Sequence, residues 1–474
     1  MSFASDITFK KHQTSVVKRA RCSNLLLAHD PGLGKTLSIL KIFDNERKSF
    51  VLTPGPNKNR RFRMLVVCPI LVISNAWIPQ IEEHTFFIYS VIYNTKPKLR
   101  LEALRKDADI YLINPDQFKI LSEEIREVDF NMLVIDESSC LKSNTTDMTK
   151  CTLSFAGFRS KNYKKASYVT HRYCLSGTPA PNGRHEYWGQ VNFVQPELLN
   201  TNFYAFRDKF FYSINIGPGL RKWEFKKSMV REFETTIAPA VDVALNEEVQ
   251  DWPESTDIYY TTPLSNKEKA AYTSMKEELV LEIGDVEVLS QYQITKLQKL
   301  RELACGFVFD IDKNVHWIVK KTAKDIALLE LMDKLAGRSV VIWADFRPLY
   351  PHIRDLLKGK CEIVDKKYGD PVKVLDDFTA GRIKTIVVNP ASCGHGIDGW
   401  QNVASEAIYY TDNWSWELRR QSSDRLNRIG QTNKVTNYHI VSEGTIDRVL
   451  LQATNDKRKL SDSILRHFKE GFDG

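Results

Sequence analysis

No two of the eight cysteines form a C-x-x-C pair, and their scatter (Cys22, Cys68, Cys140, Cys151, Cys174, Cys305, Cys361, Cys393) suggests neither a zinc site nor a disulfide framework. They read as reduced thiols, mostly buried beside strands. No apolar run reaches the ~18 to 20 residues that a membrane span requires, and the opening MSFASDITFKKHQ has no apolar signal core. No membrane association is expected, and a cytoplasmic protein is. There is no sequence repeat and no low-complexity tract. Neither charge sign dominates: the formal net charge is +8. That excess lies in the direction that attraction to phosphate needs, without naming a polyanion.

What is present is enough for more than one core. With 474 residues, 42% of them hydrophobic, and about 150 residues per domain, roughly three units would fit. Short apolar runs recur, each ending in a polar or glycine-bearing segment: NLLLA (24–28), MLVVC (64–68), IYLI (110–113), MLVIDE (132–137) and YCLSGTP (173–179). Helix-like stretches separate them. Strands buried on both faces read as continuous Val/Ile/Leu runs, and their alternation with helices predicts a parallel sheet. The pattern restarts at SVVIW (339–343) and continues through CEIV (361–364), KTIVVN (384–389), AIYYT (407–411) and VTNYHIV (435–441). The expected fold is therefore α/β with two parallel-sheet lobes, 1–250 and 251–474, the chain crossing near Trp252-Pro253. An aromatic and basic stretch at about 196–235 and a helical one at about 264–304 read as helical insertions, and a helix closes the chain.

In open α/β sheets, ligands bind beyond the carboxyl ends of the strands. AHDPGLGKT (28–36) follows one apolar run and opens KTLSILKIF, a helix. Gly32 and Gly34 let backbone N–H groups close around phosphate oxygens at a helix N-terminus. Lys35 would neutralise the β- and γ-phosphates, and Thr36 would hold Mg²⁺. His29 stands where the longer P-loop pattern has its first glycine. MLVIDESS (132–139) ends in two carboxylates, which suit a metal-binding Asp136 and a Glu137 that positions or deprotonates the attacking water. In QSSDRLNRIGQ (421–431), Arg425 and Arg428 are three apart, so a helix would put both guanidinium groups on one face toward one phosphate. An arginine arriving from a second lobe contributes on the order of 10³ to 10⁵ in rate and ties hydrolysis to closure. His29 and His395 have no second or third ligand beside them and read as structural or phosphate-near residues.

On these elements the chain resembles the superfamily-two helicases, and within them the Swi/Snf-like group, over nearly its whole length. Phe9 and Gln13 resemble the adenine-reading Q motif. VVCPILVISNAWIPQIEE (66–83) is similar to motif Ia, LSGTPAPNGRHEYWGQVNFVQPELL (175–199) to motif III, VVIWADF (340–346) to motif IV and NPASCGHGIDGWQN (389–402) to motif V. RIGQ (428–431) and EGTID (443–447) before a basic helix narrow the resemblance to the Swi/Snf-like pattern. The resemblance implies two RecA-like lobes, ATP and Mg²⁺ as cofactors, and double-stranded DNA, forked or branched forms included, as partner. It places Gln13, Asp30, Gly32, Gly34, Lys35, Thr36 and Gly396 on the nucleotide. Pro69, Ser176, Gly177, Thr178 and Gln421 would couple hydrolysis to DNA. Ser139 stands where the family has a histidine, which bears on the coupling of the metal site to motif III, and Asp398 stands where motif V has asparagine. The segment before the crossover, APAVDVALNEEVQDWP (238–253), is acidic where the family is basic.

Basic stretches with interleaved aromatics at 159–172 and 220–231 make Lys164, Lys165, Lys226 and Lys227 candidates for phosphate contacts, with no base-edge readout. The expected function is a DNA-dependent ATPase that translocates on duplex DNA, a monomer open to recruitment by a partner, in repair or recombination. Short insertions without a chromatin-reading module fit a bacterial or phage-type enzyme. Two other readings are compatible with these residues: a strand-separating or branch-migrating helicase, and a DNA-binding or assembly protein that has lost hydrolysis.

Overall fold

The apolar runs become strands buried on both sides. In a computed structural model describing residues 3–4, 7–52, 61–159, 169–217, 220–246, 253–283, 291–393, 399–428 and 430–470, the chain first lays down Leu25–His29 (β1), Met64–Val67 (β2), Tyr89–Ile92 (β3), Ile110–Ile113 (β4), Met132–Asp136 (β5) and His171–Leu175 (β6). Phe211–Gly217 (β7) and Leu220–Phe225 (β8) then pair as an antiparallel hairpin, and Val241–Ala244 (β9) returns to the first sheet. That sheet has the order β3-β4-β2-β5-β6-β1-β9, with every described pairing parallel. Its two faces feed two cores: Leu26 and Ala28 point into one, Leu25 and Leu27 into the other. This is why β1 carries no alternating polar residue.

Thr256–Thr262 (β10) opens the second sheet. A small antiparallel hairpin, Phe307–Phe309 (β11) with Val315–Trp317 (β12), precedes the remaining strands: Val340–Trp343 (β13), Glu362–Val364 (β14), Thr385–Val388 (β15), Glu406–Tyr409 (β16) and Thr436–Ser442 (β17). The order is β10-β17-β16-β13-β15-β14, again parallel throughout. Val340 and Ile342 enter one core, Val341 and Trp343 the other. The strands thus divide between two α/β lobes with the change of sheet between Ala244 and Thr256; Trp252 lies outside the described residues. Among the described residues, no helix is long and apolar enough to cross a membrane. The seven described cysteines are free thiols, five of them buried.

The 196–235 insertion differs from the helical expectation. Between the helices Phe203–Phe210 and Val230–Ile237 stands the β7–β8 hairpin. Its aromatic and β-branched residues favour a pleated surface: Phe211 pairs with Phe225 across the strands, their rings 5.0 Å apart edge to face. Phe210 and Phe233 complete the cluster. The 264–304 stretch forms the helices Asn266–Ile283 and Gln291–Ala304.

One buried cation ties the first sheet to the chain that follows it. Arg172, on β6 and 1% exposed, donates through Nε to the Phe193 carbonyl (2.6 Å), through Nη1 to that of Val169 (2.5 Å) and through Nη2 to that of Val194 (3.1 Å). It therefore satisfies carbonyls at the end of the helix Tyr187–Val194 that no later turn can reach. Arg172→Met keeps the length and strands these acceptors. The expected cost is on the order of 3 kcal/mol, read as a lower denaturant midpoint; a change within experimental error would contradict the capping role.

Candidate nucleotide cleft between the two sheets

Three neighbouring strands of the first sheet, β5, β6 and β1, end at the same level, Asp136 opposite Leu175 and Leu175 opposite Leu27. Their loops therefore emerge side by side. After β1 the turn 30–34 leads into the helix Lys35–Leu52. Gly32 and Gly34 have φ of +81° and +72°, which side chains rarely adopt, and a Cβ on Gly34 would collide with the amide of Gln13. That amide donates to the Gly34 carbonyl (3.3 Å) while the Gln13 Oε1 accepts from the Lys10 backbone (2.9 Å), so Gln13 is locked onto the glycine turn. The Lys35 ammonium donates to the carbonyls of His29 (2.8 Å) and Asp30 (3.3 Å). Burial in the cleft floor lowers its pKa, against the pull of Glu137, Asp136 and Asp30.

Beyond β5, Asp136 accepts from the Trp77 indole (2.9 Å) and from the Glu137 backbone N–H (2.9 Å). Trp77 ends a π-helical turn, Ile73–Trp77, within a helical run that begins after Pro69. Pro79 lacks the N–H that would continue the i→i−4 ladder there, which accounts for the bulge. Desolvation, and next the charge of Glu137, push the Asp136 carboxyl well above the usual carboxylate range. Glu137 itself sits at φ +52°, a left-handed conformation of the kind that costs about 1–3 kcal/mol and collects at functional sites. From β6 come Ser176, whose hydroxyl accepts from the Thr178 N–H (3.1 Å), and Gly177, where a Cβ would press on the Pro31 ring.

The second lobe contributes one helix and the turn after it. The helix Trp416–Ser423 ends before Arg425 and Arg428, so the expectation that both arginines share a helical face is corrected: they stand on successive turns, where the Arg425 N–H bonds Ser422 and the Arg428 N–H bonds Leu426. After Asp424 the backbone turns to i→i−3 bonds, Arg425 to Ser422 and Leu426 to Ser423, so the helix ends sooner than side-chain spacing suggested. Both side chains still line a cleft of about 490 Å³ together with Gly32, Gly34, Lys35, Thr36, Asp136, Glu137, Gly177, Thr178 and Gln421. Sequence reasoning missed Arg420. Its guanidinium pairs with Asp30 and donates to the Gly177 carbonyl (3.2 Å), so one side chain touches two loops of the opposite lobe. Asp30 accepts in turn from the Asn246 N–H (2.8 Å). The only signal for Arg420 lay in its position beside Gln421.

Other expected residues fall elsewhere. Pro69 caps a short helix after β2 and is absent from the cleft lining. Lys226 donates to the carbonyls of Asp208 and Lys209 (2.8 and 2.9 Å), closing the helix Phe203–Phe210, and Lys227 is exposed; neither lines the cleft. Lys164, Lys165, His395, Gly396 and Asp398 lie outside the described residues. His29 is a core residue whose Nε2 pairs with Asp242 (2.7 Å), and burial lowers its pKa.

Several known proteins are similar to this chain. The profile of the SNF2-related domain matches residues 12–306. A putative protein of Acyrthosiphon pisum secondary endosymbiont phage 1 is 27% identical over 92% of this chain and 93% of its own length. The ISWI chromatin-remodeling complex ATPase of Saccharomyces cerevisiae is 22% identical over 93% of this chain, which spans only 38% of that protein. A Sulfolobus solfataricus SWI2/SNF2 ATPase core solved with dsDNA is 21% identical with a TM-score of 0.43, covering 98% of this chain and 95% of that one.

Asp424, buried where Arg420 and Asp30 meet, gives the cleft a pH signature. Burial raises its carboxyl from 3.8 to about 7, with Arg420 opposing and Asp30 adding. The folded protein therefore holds this proton more tightly than the unfolded chain. Its stabilisation is complete below pH 3.8 and is lost as the pH rises through about 7. Asp424→Asn should flatten the fall of the ligand-free melting temperature between about pH 4 and 7; an unchanged slope would count against this burial.

Proposed function

The chain belongs to the SNF2-related domain family, and from that premise we propose that it is a motor that hydrolyses ATP between its lobes and moves along duplex DNA. The observation that carries the reading is the shared cleft: Lys35, Thr36, Asp136 and Glu137 from one lobe face Arg425 and Arg428 from the other across about 490 Å³. The glycine turn and the helix N-terminus cradle the phosphates through backbone N–H groups, and Lys35 leaves its carbonyl partners to neutralise them. Gln13 and Asp30 hold the turn and its flank, and we assign Gly396 a nucleotide-binding role as well. Glu137 orients the attacking water and takes its proton. Arg425 and Arg428 stabilise the charge that develops on the transferred phosphoryl group, which happens only when the lobes are together.

Thr36 and Asp136 would hold Mg²⁺. Two adjoining carboxylates, one of them raised in pKa first by its burial and then by the charge of the other, form a pair whose repulsion a divalent cation would relieve. The chemistry that cation would supply is positive charge to offset that of the phosphates.

Duplex DNA is the partner we assign, forked or branched forms included, with Ser176, Gly177, Thr178 and Gln421 linking the cleft to it and Pro69 touching its backbone. Phosphate contacts fall to Lys164, Lys165 and Lys227, and to Lys226 once it releases its helix. The relatives support the class of partner: one is named a chromatin-remodeling ATPase. The phage relative, similar over nearly its whole length, favours the cytoplasm of a bacterial or phage-infected cell. We assign a monomer that partners recruit.

Hydrolysis should rise with duplex DNA and much less with single strands; stimulation by RNA alone would reject the reading. On a plain duplex the strands should stay paired while a bound protein is displaced, whereas strand release would favour an unwinding helicase. Lys35→Ala should abolish turnover, and Glu137→Gln should bind ATP without hydrolysing it. Arg428→Ala should lower kcat by about 10³-fold or more with nucleotide affinity changed only a few fold; equal losses in both would remove its assigned role.

A further inference from the structure

Ser139 replaces the histidine expected after the paired carboxylates, and the structure shows where its hydroxyl goes. Ser139 Oγ donates to Oε1 of Glu417 (2.5 Å), in the first turn of the second-lobe helix Trp416–Ser423, and the Lys142 ammonium approaches the other oxygen at 3.9 Å. The neighbouring hydroxyl, Ser138 Oγ, donates to Gln190 (2.7 Å), whose amide donates to the carbonyls of Pro179 (2.6 Å) and Glu186 (3.0 Å). The short turn that carries Glu137 at its left-handed φ is therefore fastened on two sides: to the loop after β6 within its own lobe, and to the other lobe through Ser139.

We infer that Glu417 is a positioning residue for hydrolysis, reporting lobe closure to Glu137 through its hydrogen bond with Ser139. This rests on the reading of the cleft as an ATPase site. Glu417 and Arg420 are three residues apart and so project from one face of the helix, one gripping the carboxylate turn and the other the glycine turn and Gly177. Parting the lobes returns Ser139 and Glu417 to water, where each is satisfied at little cost. Only the closed arrangement holds the turn from both sides, and a strained backbone conformation persists only where its surroundings over-determine it. The contact should then act on turnover in the closed state and leave ATP binding, made by the first lobe, nearly untouched.

The test is steady-state hydrolysis by the full chain with saturating duplex DNA. Ser139→Ala and Glu417→Ala should each lower kcat about tenfold, the worth of one charge-assisted hydrogen bond, with KM for ATP within about twofold. The double variant should fall no lower than the weaker single one. Ser139→Thr keeps the hydroxyl and Glu417→Gln keeps an acceptor oxygen, so both should stay within about threefold of the unaltered protein. Multiplying losses in the double variant, a Thr variant as poor as the Ala one, or a loss confined to KM would each overturn the proposal. If Glu417→Ala does not fold, Glu417→Met against Glu417→Gln answers the same question. An unaltered chain that shows no DNA-stimulated hydrolysis would instead remove the ATPase reading on which the proposal stands.

Discussion

The helix Trp416–Ser423 is held from behind and reaches forward, and the architecture of the cleft depends on that division. Behind it, Arg419 donates to Asp257 (3.4 Å) and contacts His439 (3.2 Å), which is completely buried between the Tyr409 and Tyr259 rings and pairs with Asp412 (3.0 Å). Burial alone would lower the His439 pKa, but Asp412 and Asp257 overcome it and raise it. Ser422 bonds the Tyr409 hydroxyl (2.9 Å). These groups lock the helix to β10, β16 and β17. A 3.6-residue period then sends Glu417, Arg420 and Gln421 the other way, where Glu417 and Arg420 meet the loops after β1, β5 and β6 of the other lobe.

Much of this was legible in the sequence because parallel strands buried on both faces leave continuous apolar runs. β1, β2, β4, β5 and β6 and their second-lobe counterparts lie where those runs stand. Two edge strands were not legible: β3 is half-exposed on alternate residues and β10 carries the polar run TDIYYTT, so neither has the two-faced apolar signature. Lys35, Thr36, Asp136 and Glu137 were readable since their geometry is local, fixed by one strand and the turn that ends it. Arg420, Trp77, Ser138 and Glu417 were not, since each matters for a partner more than fifty residues away that no periodicity predicts. The helical reading of Arg425 and Arg428 failed for a local reason, the helix ending at Ser423.

The cleft is assembled from groups that folding alone would avoid. Asp136 and Asp424 are buried carboxyls with raised pKa, Lys35 is a desolvated amine, and Glu137 has an unfavourable backbone. Each costs stability in the ligand-free chain, and the fixed network around them bears the cost: Trp77 on Asp136, Ser138 on Gln190, Gln13 on Gly34. The polyphosphate and metal ion proposed for this cleft would supply the missing countercharge on both sides at once. The same groups that weaken the empty protein are thereby prepared to bind, which is the usual relation between strain and function.

The bonds within each lobe and those between lobes also differ in kind. Inside the lobes, buried side chains answer buried carbonyls, as Arg172 does, and removing one partner leaves an orphan. Between the lobes, the contacts at the cleft include Arg420 with Asp30 and Gly177, and Ser139 and Lys142 with Glu417, charged or hydroxyl groups that water satisfies well when they separate. Arg420 and Asp30 are largely buried when the lobes meet, so the cost of taking them out of water offsets much of their attraction, and the lobes can part while both cores stay intact. The nucleotide proposed to contact Lys35 on one side and Arg425 and Arg428 on the other would therefore meet little resistance in drawing them together, and its hydrolysis little in letting them go.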